Sequence, residues 1–212
     1  MTGLDIAFLM PWIEPMAVVT GIASVALTVR QHIVSWPVGI ASSALFLVLF
    51  LGAGLYADSM LQVVYVVLGF YGWWFWLTGG PRRDELPVSR ASTRVRLALV
   101  VLVVLGTAAF GAFLDAATDS TVPYADAATT NLSLAAQFLL TRKYIESWPV
   151  WIFGVNLPFI AIYLYKDLSL TAGLQLVFIA LSIAGWREWR RSMATTPGQS
   201  TTILQPMPEV AK

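Results

Sequence analysis

RQHIVSWPV at Arg30–Val38 returns 112 residues later as RKYIESWPV at Arg142–Val150. At this offset Arg30, Ile33, Ser35, Trp36, Pro37 and Val38 fall on Arg142, Ile145, Ser147, Trp148, Pro149 and Val150. An offset of 113 lays Leu61, Gln62, Gly72, Trp73 and Trp76 on Leu174, Gln175, Gly185, Trp186 and Trp189. Self-similarity at a fixed spacing marks an internal repeat. Two homologous halves are therefore expected, at 15–78 and 124–191. Between them, 79–114 reads as a basic loop followed by a linker helix that has no counterpart.

The medium in which these halves fold follows from composition. Of the 212 residues 58% are hydrophobic and 12% charged, against roughly half and a quarter in soluble domains. Seven apolar stretches, roughly 15–30, 37–56, 60–78, 96–114, 124–141, 149–165 and 168–187, each approach the ~20 residues that a bilayer core demands. The expected fold is an all-α integral membrane protein of seven transmembrane helices, three in each repeat and one linking them. Asp5 and Glu14, rather than a basic segment, precede the first span, so it does not read as a signal peptide.

Basic residues orient the chain. With seven crossings, only Lys166 of the 13 Lys and Arg falls on one side; Arg30, Arg142, Lys143, the basic loop and the C-terminal cluster share the other. The positive-inside rule then puts the N-terminus outside and the C-terminus in the cytoplasm. Because the three spans of one repeat and the linker make four crossings, both repeats start outside and are parallel. The tail 192–212, with TTPGQSTTILQPMPEV at its heart, is expected to be disordered.

Pro37 and Pro149 suit the first turn of a helix, and a residue before proline is biased away from helical backbone. Trp36 and Trp148 are thus expected at helix entrances, just outside the regular turn. There they serve either an interfacial aromatic belt or a ligand.

No span interior contains Asp, Glu, Lys, Arg or His; the nearest are Arg30, Asp58, Asp126, Lys166 and Asp167 at span ends. Proton-coupled carriers use a buried ionisable group, so the pattern argues against proton coupling, while neutral oxygens leave sodium open. No acid, thiol or histidine base is placed to activate a nucleophile in a span. The chain is not expected to be an enzyme. With no cysteine and one histidine, His32, it offers no thiolate or histidine-cluster metal site. No cofactor is called for, and the net charge of +1 does not point to nucleic acid.

Neutral polar and aromatic residues remain. Gln62, Tyr65, Gly69, Trp73 and Trp76 step by 3, 4, 4 and 3 and share one helical face. Gln175, Phe178, Ser182, Trp186 and Trp189 repeat it. Asp126, Thr130, Ser133 and Gln137 form a polar stripe, and Asn156 lies two residues before a kinking Pro158. Facing lipid, such groups are costly, so they are expected to face the bundle interior. The candidate substrate-binding residues are Gln62, Tyr65, Trp73, Trp76, Thr130, Ser133, Gln137, Asn156, Trp36, Trp148 and Gln175. Each has a structural alternative: hydroxyls bonding their own helix, amides bridging helices, tryptophans at the interface. At the 112 offset Thr130, Ser133, Gln137 and Asn156 match Val18, Gly21, Val25 and Ala44, so one wall of the cavity is expected to be more polar than the other.

LYADSMLQVVYVVLGFYGWWFWL at 55–77 and the run from ESWPVWIF to GWREW at 146–189 resemble the PnuC family of nicotinamide riboside transporters. The likeness spans about 15–191. It implies a 3+1+3 fold similar to SWEET sugar transporters and facilitated diffusion of nicotinamide riboside, an NAD precursor, across the bacterial inner membrane. It further implies a cytoplasmic kinase that traps the imported substrate. Thiamine and riboflavin carriers of related branches are the nearest alternative. A seven-helix receptor is more distant, since the longest inner loop, about 79–95, is a short basic connector. Assembly into a homo-oligomer stays open.

Overall fold

The computed structural model describes residues 3–52, 56–79, 86–118, 120–165 and 169–195. Among the described residues there are seven helices: α1 Gly3–Val29, α2 Ser35–Gly52, α3 Tyr56–Thr78, α4 Thr93–Ala117, α5 Pro123–Thr141, α6 and α7 Ser169–Thr195. The sixth begins as a turn at Ser147–Pro149, widens into a π-helix over Val150–Asn156 and resumes over Leu157–Tyr165. Pro158 explains the widening. Its ring displaces the carbonyl one turn back and it has no N–H to offer, so Leu157 N–H bonds to Ile152 O across five residues instead.

The chain is an all-α integral membrane protein. Trp12–Val29, Ser35–Gly52, Ser59–Thr78 and Thr93–Ala117 are long and apolar enough to cross a membrane by themselves. The other three helices bury further polar groups. Along α5 Thr129, Ser133 and Thr141 are buried, α6 buries Asn156, and α7 buries Gln175 and Ser182. By contrast α4 turns Leu97, Val100, Leu102, Val104 and Leu105 outward, an apolar face suited to lipid. Neighbours in sequence pack together, α1 on α2, α2 on α3, α4 on α5, α5 on α6 and α6 on α7. Two contacts join the halves: α1 with α7 and α3 with α5.

The nonamers form matching elbows. Gln31 and Lys143 adopt left-handed backbone, φ 56° and 49°, an arrangement usually reserved for glycine after a helix. Gln31 N–H bonds to Thr28 O and His32 N–H to Leu27 O; Lys143 N–H bonds to Leu140 O and Tyr144 N–H to Leu139 O. Both are Schellman closures, and both lead into a helix through Ser-Trp-Pro. Here the local expectation is corrected. Trp36 and Trp148 stand within the first helical turn, and their rings are buried in the protein rather than set in an interfacial belt. Burying an indole outweighs the mild backbone bias that proline imposes.

Beyond the α3 end, 86–92 lies along the second elbow. Ser89 N–H bonds to Lys143 O, Ile145 N–H to Ser89 O, and Ala91 N–H to the Glu146 carboxylate at 3.0 Å. Ser92 then caps α4 through Val95 N–H. The expected tail boundary also moves. Ser192–Thr195 continue α7, because Met193 packs on the core and Gln31 Nε2 donates to Ser192 Oγ at 3.0 Å. The rest of the tail, 196–212, together with Asp119, Lys166 and Asp167, lies outside the described residues, as does the side chain of Asp58.

Candidate functional site

A cavity of about 380 Å³ opens between the halves, within the usual range for small-molecule sites. α3 presents Gln62, Tyr65 and Gly69 to it at steps of one helical turn. α5 supplies Gln137, α6 Trp148, Trp151, Val155, Asn156 and Phe159, and α7 Gln175, Phe178 and Ser182. The π-helix matters here, since the extra residue in its turn lets Val155 and Asn156 both face the cavity. From α1 and α2 come Ser24, Thr28, Ser35, Trp36, Ser42, Ser43 and Phe46. The described lining holds no Asp, Glu, Lys, Arg or His.

Seven of the eleven sequence candidates line this cavity: Gln62, Tyr65, Gln137, Asn156, Trp36, Trp148 and Gln175. The other four stand behind it. Ser133 accepts the Tyr65 hydroxyl at 2.6 Å and donates to Thr130 O at 2.8 Å, so it orients the tyrosine from outside the wall. Thr130, half-buried one turn earlier, contributes that carbonyl. Trp73 and Trp76 lie farther along α3, where Trp76 is buried in an aromatic cluster and Trp73 packs on its flank.

That cluster adjoins the cavity through Trp36 and Trp148, which belong to both. Trp36 meets Trp76 edge-on at 5.3 Å, and Trp148 meets Trp189 edge-on at 5.2 Å. Trp76 and Trp189 meet each other at 6.1 Å. Leu86 and Val88 of the docked loop pack against the cluster. Lys143, buried, places its ammonium 4.4 Å from the Trp76 ring centroid and donates to Gln31 Oε1 at 3.4 Å, a pair of positions matched at the 112 offset. The side chains of the two left-handed residues thus meet.

The first-half wall is more polar in composition than its repeat alignment suggests, yet three of its hydroxyl protons are already used. Ser24 Oγ donates to Ser35 O, Thr28 Oγ1 to Ser24 O, and Ser42 Oγ to Ala17 O, at 2.8 to 2.9 Å. Amides distinguish the second half, with Gln137, Asn156 and Gln175 set against Gln62 alone. Trp36 and Trp148 keep buried indole N–H groups with no protein acceptor. Sequence reasoning missed Ser24, Ser43, Phe46, Trp151 and Phe159. Of these, only Ser24 stood out by pattern, with Gly21, Val25 and Thr28 at helical spacing.

The family model described as "Nicotinamide mononucleotide transporter" matches residues 11–191. The chain belongs to this transporter family. Its relatives include the Escherichia coli (strain K12) protein named "Nicotinamide riboside transporter PnuC", 22% identical and aligned over 85% of this chain and 86% of that one. A Neisseria mucosa protein of the same name is 27% identical over 89% and 75%. The Streptomyces davaonensis "Riboflavin/roseoflavin transporter RibM" is 24% identical over 84% of each. A solved structure, "Crystal structure of the Vitamin B3 transporter PnuC", shares the fold with a TM-score of 0.69 at 24% identity, covering 91% of this chain and 88% of that one.

Proposed function

We propose that this member of the family carries nicotinamide riboside across the bacterial cell membrane by uniport. The observation that carries the reading is a cavity bounded by four amide side chains and several aromatic rings, with no ionisable acid or base in its described lining. A ribose and a carboxamide match Gln62, Gln137, Asn156 and Gln175 as donors and acceptors. A pyridinium cation matches the tryptophan faces, a contact worth about 2 kcal/mol when desolvated. The phosphate that distinguishes the mononucleotide from the riboside is a different matter. A phosphate monoester carries about −1.5 to −2 charges near neutral pH, and with no Lys or Arg on the wall its burial is strongly unfavourable. Selection of the riboside over the mononucleotide follows.

The cavity lies between two parallel three-helix repeats related by an axis along the membrane normal, with α4 as linker. Charge distribution supports an external N-terminus and a cytoplasmic C-terminus. On that orientation the aromatic cluster closes the cytoplasmic end, and release of substrate inward requires the Trp76 and Trp189 contacts to part. The chain performs no chemistry on its cargo; a cytoplasmic kinase that phosphorylates the riboside would make uptake irreversible. Tryptophan quenching by nicotinamide riboside, nicotinamide mononucleotide, thiamine and riboflavin on the purified protein tests the assignment. Saturable quenching by the riboside, at least tenfold tighter than by the other three, is expected. Preference for riboflavin would move the chain toward the activity named for its Streptomyces relative.

A further inference from the structure

A second concavity lies on the outside of the bundle, away from the transport cavity. Between α6 and α7, a groove of about 500 Å³ is walled by Ile152, Phe153 and Leu157 on one side and Ile179, Ile183 and Trp186 on the other. At its basic end stand Arg187 and Arg190. Both arginines are exposed. On α7 the lining steps along one face, so the groove runs with the helix axis rather than across it. From Ile179 to Arg187 the rise is ~12 Å at 1.5 Å per residue, close to the ~15 Å depth of one hydrocarbon leaflet.

Chemistry changes sharply along that length. The upper part is aliphatic and aromatic, with Phe153 and Leu157 more than half exposed. At the lower end Arg190 lies over the Trp186 ring at 6.0 Å, which holds its guanidinium at the groove mouth. Glu188, the carboxylate nearest in sequence, turns to Arg191 at 3.8 Å and leaves the mouth basic. A free anion would use the arginines and ignore the groove; an apolar helix would fill the groove and leave two cations against its backbone. A molecule with an acyl chain and an anionic headgroup satisfies both ends.

We propose that this groove binds an anionic phospholipid from the leaflet on the basic side of the membrane. Its phosphate lies between Arg187 and Arg190 and one acyl chain lies along Ile183 and Ile179. The site is separate from substrate recognition and does not depend on the cargo.

Native mass spectrometry of the full-length protein, titrated with phosphatidylglycerol or phosphatidylcholine, tests it. Phosphatidylglycerol is expected to bind more tightly. A basic residue near an anionic surface contributes about fivefold in affinity, so the double variant Arg187→Gln, Arg190→Gln is expected to lose about 30-fold for phosphatidylglycerol and little for phosphatidylcholine. Arg94→Gln, Arg96→Gln removes the same charge from the same side and is expected to retain wild-type binding. Ile183→Trp fills the groove with both arginines intact and is expected to weaken phosphatidylglycerol binding as well. Equal affinity for the two lipids, equal losses in the two arginine pairs, or full binding by Ile183→Trp would each overturn the proposal. So would efficient cross-linking between copies through Phe153→Cys in this cysteine-free chain, because a second copy would then occupy the groove.

Discussion

The indole N–H of Trp76 donates to the backbone carbonyl of Leu140 at 3.3 Å, reaching from α3 to the end of α5. Trp189 does the same toward Thr28 at 3.1 Å, from α7 to the end of α1. Trp76 and Trp189 are matched by the repeat, and so are Thr28 and Leu140. Each half therefore holds the other by the same bond, and the two bonds flank the meeting of Lys143 with Gln31.

This exchange predicts paired mutational effects. Trp76→Phe and Trp189→Phe keep an aromatic ring but remove the donor, so the link between the halves is lost while Leu140 O and Thr28 O keep their bonds from Lys143 and Gln31 N–H. A loss of about 1 kcal/mol is expected in each, seen as a fall of a few degrees in the thermal midpoint. Comparable shifts from both variants support the exchanged arrangement. A large shift from one and none from the other would contradict it.

Glycine packing gives a second pair. A Cβ on Gly72 would collide with the Trp36 ring, and one on Gly185 with the Trp148 ring. Overpacking of this kind costs about 1–3 kcal/mol. Gly72→Ala and Gly185→Ala are expected to lower thermal stability and slow substrate flux, whereas Gly173→Ala, with nothing near its added carbon, is expected to do neither. Flux assays on the three purified variants decide it.

The sequence showed the seven helices and much of the cavity for one reason: in a membrane, polar residues are too costly to scatter, so Gln62, Gln137, Asn156 and Gln175 announced an interior face. The repeat likewise showed as text, in RQHIVSWPV and RKYIESWPV. What stayed hidden was depth and partnership. Helical spacing put Trp76 on the same face as Gln62 but not in the same chamber, since four turns of α3 separate a cavity residue from one in the aromatic cluster. Ser133 shared a stripe with Gln137, yet its hydroxyl is turned to Tyr65. Trp151 and Phe159 were invisible because α6 beyond its first turn is apolar apart from Asn156, and the π-helical turn before Pro158 decides which of its aromatics faces inward.

Asymmetry between the walls predicts unequal consequences for matched substitutions. Gln137→Leu removes an amide from the cavity wall, and its ligand affinity is expected to fall by about 1–3 kcal/mol, five- to 150-fold. Val25→Leu, at the corresponding place in the first half, is expected to weaken binding less. Isothermal titration with nicotinamide riboside measures both. Equal losses would make the amide a structural brace.

Orientation is checked by reporter fusions. A reporter joined after Lys212 is expected to be active only in the cytoplasm, and one inserted in the connection between α4 and α5 only outside. External activity of the C-terminal fusion would reverse the orientation.

Uniport is the central claim, and counterflow in sealed proteoliposomes measures it most directly. Moving one charge across 100 mV is worth about 2.3 kcal/mol, but an ion-driven carrier needs a group to hold the ion, and the described cavity wall has no acid or base for a proton. Labelled nicotinamide riboside is therefore expected to exchange and to run downhill with no pH or sodium gradient, stopping when its electrochemical potentials on the two sides are equal. Accumulation driven by an imposed pH or sodium gradient at zero membrane potential would contradict the account.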